Sequence, residues 1–206
     1  MAEQAYLVAT LIVVCGSYLR VLAASGAAMR TLTSRRQFRR FQMGMVEMLN
    51  AVEPLVLAAA TSLVLVFQFE PDDASALDAS AAAIGAALVL YAWNLTAWSF
   101  LSWRSIFFGH GVQEGQKLVT GGAYGLVRHP VYLGVMLIWL GLSAAFLSPV
   151  VFIITAAYVI PVYTLYMISE EKMMSEEFGE EYASYCRRDP MLLPYARLIP
   201  PLRPKE

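Results

Sequence analysis

Apolar residues gather in five long runs along the chain, and polar residues gather between them. The runs extend from Ala5 to Ala24, Val46 to Phe69, Ala76 to Trp103, Val131 to Leu147 and Pro149 to Ser169. A helix needs ~20 mostly apolar residues to cross a bilayer. The pattern therefore predicts an all-α polytopic membrane protein of about five transmembrane helices. Arg20 lies near the end of the first run, where a long side chain can snorkel to the interface. Glu47, Asn50, Glu53 and Pro54 crowd the first turns of the second, so that end suits a protein interior better than bare lipid. Ser148-Pro149 leaves room only for a tight hairpin between the fourth and fifth runs. Pro161 predicts a kink inside the fifth.

The loops give a direction to these spans. Arg30, Arg35, Arg36, Arg39 and Arg40 follow the first run, whereas the segment with Asp72 and Asp73 after the second has no cation. Arg104, Lys117 and Arg128 precede the fourth run, and Lys172, Arg187, Arg188, Arg197, Arg203 and Lys205 follow the fifth. Cationic and non-cationic loops alternate. Positive charge is retained on the cytoplasmic side, which predicts the N-terminus outside and the C-terminus inside. The Arg30–Arg40 stretch is either a topology determinant alone or also a patch for anionic lipid head groups. The acidic loop reads as a solvated external turn.

Composition agrees and narrows the choices. Of 206 residues, 58% are hydrophobic and 15% charged, with a net charge of −1. Soluble domains carry about 25% charged residues, and near-neutrality gives no reason to expect a nucleic-acid partner. Cys15 and Cys186, with His110 and His129, are too few and too scattered for a metal site or a disulfide framework. The first run lacks a basic leader and a small-residue cleavage motif, so it is expected to be a retained span.

Polar chemistry concentrates around the fourth and fifth runs. Gly109, Gly111, Gly115, Gly121, Gly122 and Gly125 form a glycine-rich loop without a dinucleotide fingerprint. Arg128-His129-Pro130 opens the fourth run, with His129 near the helix N-cap, where an anionic group is favoured. Read by residue type alone, Arg128, His129 and Tyr132 also suit an interfacial anchor. Glu170 and Glu171 close the fifth run and return to the same membrane face as His129. Glu176, Glu177, Glu180 and Glu181 read as the solvated face of a short amphipathic helix.

The stretch from Lys117 through Thr-Gly-Gly-Ala-Tyr-Gly to Arg128-His-Pro-Val-Tyr-Leu-Gly134, a hydrophobic hairpin, Glu170-Glu171 and Phe178-Gly-Glu-Glu-Tyr-Ala-Ser-Tyr185 resembles the isoprenylcysteine carboxyl methyltransferase family. Phospholipid N-methyltransferases are its relatives. The resemblance covers about 80 residues and implies an integral membrane methyltransferase using S-adenosylmethionine, with a C-terminal cytoplasmic cofactor-binding segment. It implies a three-span region over 1–104 and a catalytic region over 105–206. Carried over by position, Lys117, Leu118, Val119, Tyr124, His129, Pro130, Val131, Tyr132 and Glu170 would line the cofactor. By charge, His129 would suit the methionine carboxylate and Glu170 the α-amino group. Arg128 is expected near the acceptor, and Tyr166, Glu171 and Glu47 are candidate bases.

One departure bears on the acceptor. The eukaryotic prenylcysteine enzymes carry an arginine one turn before this glutamate, where this chain has Tyr166, and a phenol cannot clamp a carboxylate as a guanidinium does. Asp189 before Pro190 is a smaller departure. The expected acceptor is a lipophilic molecule or a small thiol, amine or carboxylate entering from the bilayer. A membrane NADPH-dependent reductase related to sterol reductases, or a non-catalytic scaffold, would carry a similar hairpin.

Overall fold

The computed structural model describes residues 1–33, 38–40, 44–103, 111–113 and 116–193. Its helices are α1 (Ala2–Thr33), α2 (Met45–Phe67), α3 (Ala76–Ser102), α4 (Pro130–Ala145), α5 (Pro149–Ile154) and α6 (Ile160–Arg188). Four helical stretches are long and apolar enough to cross a membrane: Ala2–Gly26, Met45–Phe67, Ala76–Ser102 and Pro149–Arg188. This is a polytopic membrane protein. The arginine-rich loop side chains, Gly109, His110, Gly115 and the tail cations Arg197, Arg203 and Lys205 lie outside the described residues.

Three boundaries differ from the sequence reading. The expected fourth span is a 16-residue helix, Pro130–Ala145, about 24 Å long at 1.5 Å per residue and shorter than a hydrocarbon core. Packing explains how it is accommodated: Val135, Ile138, Trp139, Leu142 and Ala145 are all buried, making α4 the central helix. The fifth run does not stop at Ser169. It passes from α5 through a π-helical segment, Thr155–Val159, into α6 and on to Arg188. Pro161 has no N–H to donate, and the π segment directly ahead of it absorbs the missing ladder bond. The acidic stretch expected as a separate helix is the outer part of α6, bent at Gly179, whose φ is +52°. A three-residue antiparallel ribbon also pairs Phe38–Arg40 (β1) with Gly111–Gln113 (β2), too short to leave a periodic signal.

Small residues let α3 and α4 approach closely, as membrane helices often do. A Cβ placed on Gly85 would lie 2.5 Å from the Gly141 carbonyl oxygen, and one on Gly141 would lie 2.8 Å from that of Gly85. Gly134 meets Thr96 in the same way. Buried hydroxyls return to their own helices: Thr10 donates to the Tyr6 carbonyl, Ser17 to Val13, Thr61 to Leu57 and Ser99 to Leu95.

Arg20 does not snorkel. Its guanidinium turns inward, where Nη2 lies 2.9 Å from Glu53 Oε2 and 3.2 Å from the Tyr163 hydroxyl. Glu53 is fully buried and also accepts from Trp139 Nε1 at 2.7 Å and Tyr163 at 3.0 Å. A charge inside the membrane is retained only when paired and hydrogen-bonded, and here α1, α2, α4 and α6 all contribute.

The Gly85–Gly141 contact predicts that Gly141→Leu lowers stability by roughly 1–3 kcal/mol through overpacking. Gly121→Ala, which meets nothing within 4 Å, should leave it unchanged. Thermal unfolding of the two variants in one detergent checks this.

Candidate active site

The site begins where the chain enters α4. Gly122, at φ +62°, packs so closely on the end of α3 that a Cβ there would fall 2.1 Å from Ser102 Oγ, and that hydroxyl accepts from the Ala123 N–H. The short 3-10 turn Gly122–Gly125 is pinned in this way and carries Tyr124. The Tyr124 ring meets Trp103 edge-on, and its carbonyl accepts from the Tyr185 hydroxyl at 2.6 Å. Burial first, then the nearby Glu170 charge, pushes the Tyr124 phenol upward, so it remains a neutral donor at physiological pH.

Arg128 is a clamp. Its Nε donates to Glu171 Oε1 at 2.8 Å and its Nη2 lies 2.7 Å from the same oxygen, while Nη1 donates to the Cys186 and Asp189 carbonyls. The backbone follows, with Arg128 N donating to Pro190 O at 2.8 Å and His129 N to Met191 O at 3.2 Å. The segment after α6 is thereby tied across the entrance of α4. Buried Asp189 ends α6 and accepts from Arg188 Nε at 2.7 Å.

His129 is the N-cap of α4, followed by Pro130 at the first helical position, and is only 7% exposed. Its Nε2 stands 3.1 Å from Glu171 Oε1 and its Nδ1 3.6 Å from Glu170 Oε2. Both ring nitrogens face carboxylates. Burial pushes the Glu171 carboxyl upward, but the hydrogen bonds and charges of His129 and Arg128 outweigh it and hold it below its ordinary value.

Glu170 behaves differently. Its Oε2 is buried and has no hydrogen-bond partner, although Tyr132 hydrogen-bonds the residue. Tyr132 stacks on His129 at 5.6 Å between ring centroids and meets Tyr166 and Tyr163 at 5.7 and 5.6 Å. A carboxyl oxygen that accepts no hydrogen bond, beside aromatic rings, is fitted to an ammonium or sulfonium group.

His129, Tyr132, Tyr166, Glu170, Glu171, Arg128 and Tyr124 therefore come together. Pro130 is buried beside them and Val131 is half-buried. Lys117, Leu118 and Val119 lie in the segment leading to the 3-10 turn, Lys117 exposed and the other two half-buried. Sequence reasoning did not anticipate the part of Tyr185, Cys186 and Asp189 in the clamp. Two of these contributions are backbone carbonyls, which no residue type advertises.

The comparisons point to the same region. A family model described as phospholipid methyltransferase matches residues 80–181. Protein-S-isoprenylcysteine O-methyltransferase B of Arabidopsis thaliana is 31% identical over 83 residues. That match spans 40% of this chain and 42% of the Arabidopsis protein, so it covers less than half of either. Taken with the apolar helices, they describe a membrane protein that resembles membrane methyltransferases over part of its length. Residues 80–181 are thus similar to the phospholipid methyltransferase family, and 83 residues of the chain are similar to an isoprenylcysteine methyltransferase.

If Arg128 is the clamp that closes this end, Arg128→Ala should free the Arg128 and His129 amides. Loss of charged hydrogen bonds of about 1.5–3 kcal/mol predicts roughly 10- to 100-fold faster hydrogen exchange there, with α3 amides unaffected. Unchanged protection at both amides would remove the clamp.

Proposed function

We propose that the protein transfers a methyl group from S-adenosylmethionine to a lipophilic or small thiol, amine or carboxylate acceptor at the cytoplasmic membrane face. The observation that carries this reading is the buried Glu170 Oε2, which accepts no hydrogen bond and has His129 Nδ1 3.6 Å away, beside aromatic rings at the entrance of α4. The donor supplies an activated methyl on a positively charged sulfur, so position and exclusion of water are the main demands on the protein.

In this reading the catalytic region is 105–206, and each group has one task. Glu170 accepts from the donor's α-amino group. The donor's carboxylate goes to the free N–H groups in the first turn of α4 rather than to His129, whose nitrogens already face Glu170 and Glu171. His129 and Arg128 hold Glu171 and the C-terminal segment in place. Lys117, Leu118, Val119, Tyr124, Pro130, Val131 and Tyr132 enclose the rest of the donor. Tyr166, buried one turn before Glu170, faces the acceptor. Glu171, held in its anionic form, is a base only through displacement of Arg128, which favours Tyr166 as the nearer polar contact. The alternation of loop charge supports a cytoplasmic position for this end.

Calorimetry with S-adenosylhomocysteine tests the assignment. Glu170→Ala is expected to weaken binding at least tenfold, the worth of a charge-assisted hydrogen bond, while the detergent-solubilised protein stays folded. NADPH should not bind. Equal affinity in the variant and the parent, or preference for NADPH, would overturn the reading.

A further inference from the structure

Among the described residues, three buried side-chain polar atoms lack a hydrogen-bond partner: Glu170 Oε2, Arg20 Nε and Asn50 Nδ2. The first is an acceptor and belongs to the donor site proposed above. The other two are donors and belong to the first two helices, before residue 80, where the family match begins. Buried donors are nearly always satisfied in folded proteins, and the surrounding hydroxyls follow that rule.

Arg20 and Asn50 both neighbour Glu53. Asn50 is one turn before Glu53 on the same face of α2, and Glu53 holds the Arg20 guanidinium. The cluster is joined to the candidate active site through rings. Tyr163, which bonds both Arg20 and Glu53, packs on Tyr132, and Tyr132 stacks on His129.

The charge balance selects the missing partner. Glu53 accepts from Trp139, Tyr163 and Arg20, so its carboxylate already balances the Arg20 charge. An ionised head group would add an unpaired third charge inside the bundle, where desolvation is costly. An uncharged oxygen satisfies the idle N–H groups without that penalty.

We propose that Arg20 Nε and Asn50 Nδ2 form the polar subsite of the methyl acceptor and receive an uncharged carbonyl-type oxygen of a membrane-soluble molecule. This rests on the donor lying at Glu170, and it makes the N-terminal helices the source of acceptor specificity.

Three probes of equal chain length, tridecan-2-one, tridecanoate and tridecane, separate the possibilities in detergent at pH 8. Partition-corrected equilibrium dialysis of each probe against the protein in micelles serves as the readout. The ketone should bind at least tenfold more tightly than either of the others. Arg20→Lys keeps a cation for Glu53 but deletes the Nε donor, and Asn50→Ala deletes the amide. Each should weaken ketone binding roughly tenfold and leave tridecane and S-adenosylhomocysteine binding unchanged. If Arg20→Lys fails to fold, Asn50→Ala alone decides. Ketone binding no tighter than tridecane, tighter binding of tridecanoate, or unchanged ketone affinity in the folded variants would each overturn the subsite. Failure of the parent protein to bind S-adenosylhomocysteine would refute the donor site instead, and the ketone result would still stand or fall separately.

Discussion

A single carboxylate, that of Glu171, fixes how the two most polar ends of the molecule meet. It stands between the Arg128 guanidinium and the His129 imidazole, and Arg128 in turn grips the carbonyls that follow α6. Two backbone hydrogen bonds, from Arg128 N to Pro190 O and from His129 N to Met191 O, add to that pairing in setting the register of α6 against α4. Glu170, the preceding residue, inherits its position from the arrangement. One carboxylate is spent on architecture, and its neighbour is left with an open acceptor position. The division of labour between adjacent acids is what makes the site suited to a cationic ligand.

The same economy governs the bundle interior. In hydrocarbon, a polar group without a partner costs several kcal/mol, so serines and threonines fold back on their own helices and Glu53 gathers three donors. Close packing then has to come from shape. Gly85 and Gly141 supply it by letting α3 and α4 touch backbone to backbone. The short α4 is held among its neighbours instead of against lipid, and its entrance is thereby set at the depth where aromatic rings and charges converge.

The apolar runs made the order of the helices legible, but length alone counted α4 as a span although it has only 16 residues. The meeting of these residues was legible as well: His129, Glu170 and Glu171 flank one hairpin, and a hairpin must return its two ends to one side. Less visible were the partners. Arg20 reads as an interfacial side chain until Glu53 is placed opposite it by the packing of α1 on α2. The continuation of α6 past Ser169 was hidden because the run ends in hydrophobicity there but not in helix propensity: Glu, Lys and Met extend a helix readily. Arg128's grip on main-chain carbonyls leaves no trace in residue type, and neither does the choice between Glu170 and Glu171 as the free acid.

Solid-state NMR distance measurement offers the most direct examination of the central pairing. The chain has two histidines, so a His110→Asn variant carrying ¹⁵N-imidazole and ¹³C-carboxyl glutamate reports on His129 alone. Strong dipolar coupling, corresponding to a nitrogen-to-carboxyl separation of about 3–4 Å as in a hydrogen-bonded ion pair, is the predicted result. Absence of coupling within roughly 6 Å would separate α4 from α6 at this end and contradict the account.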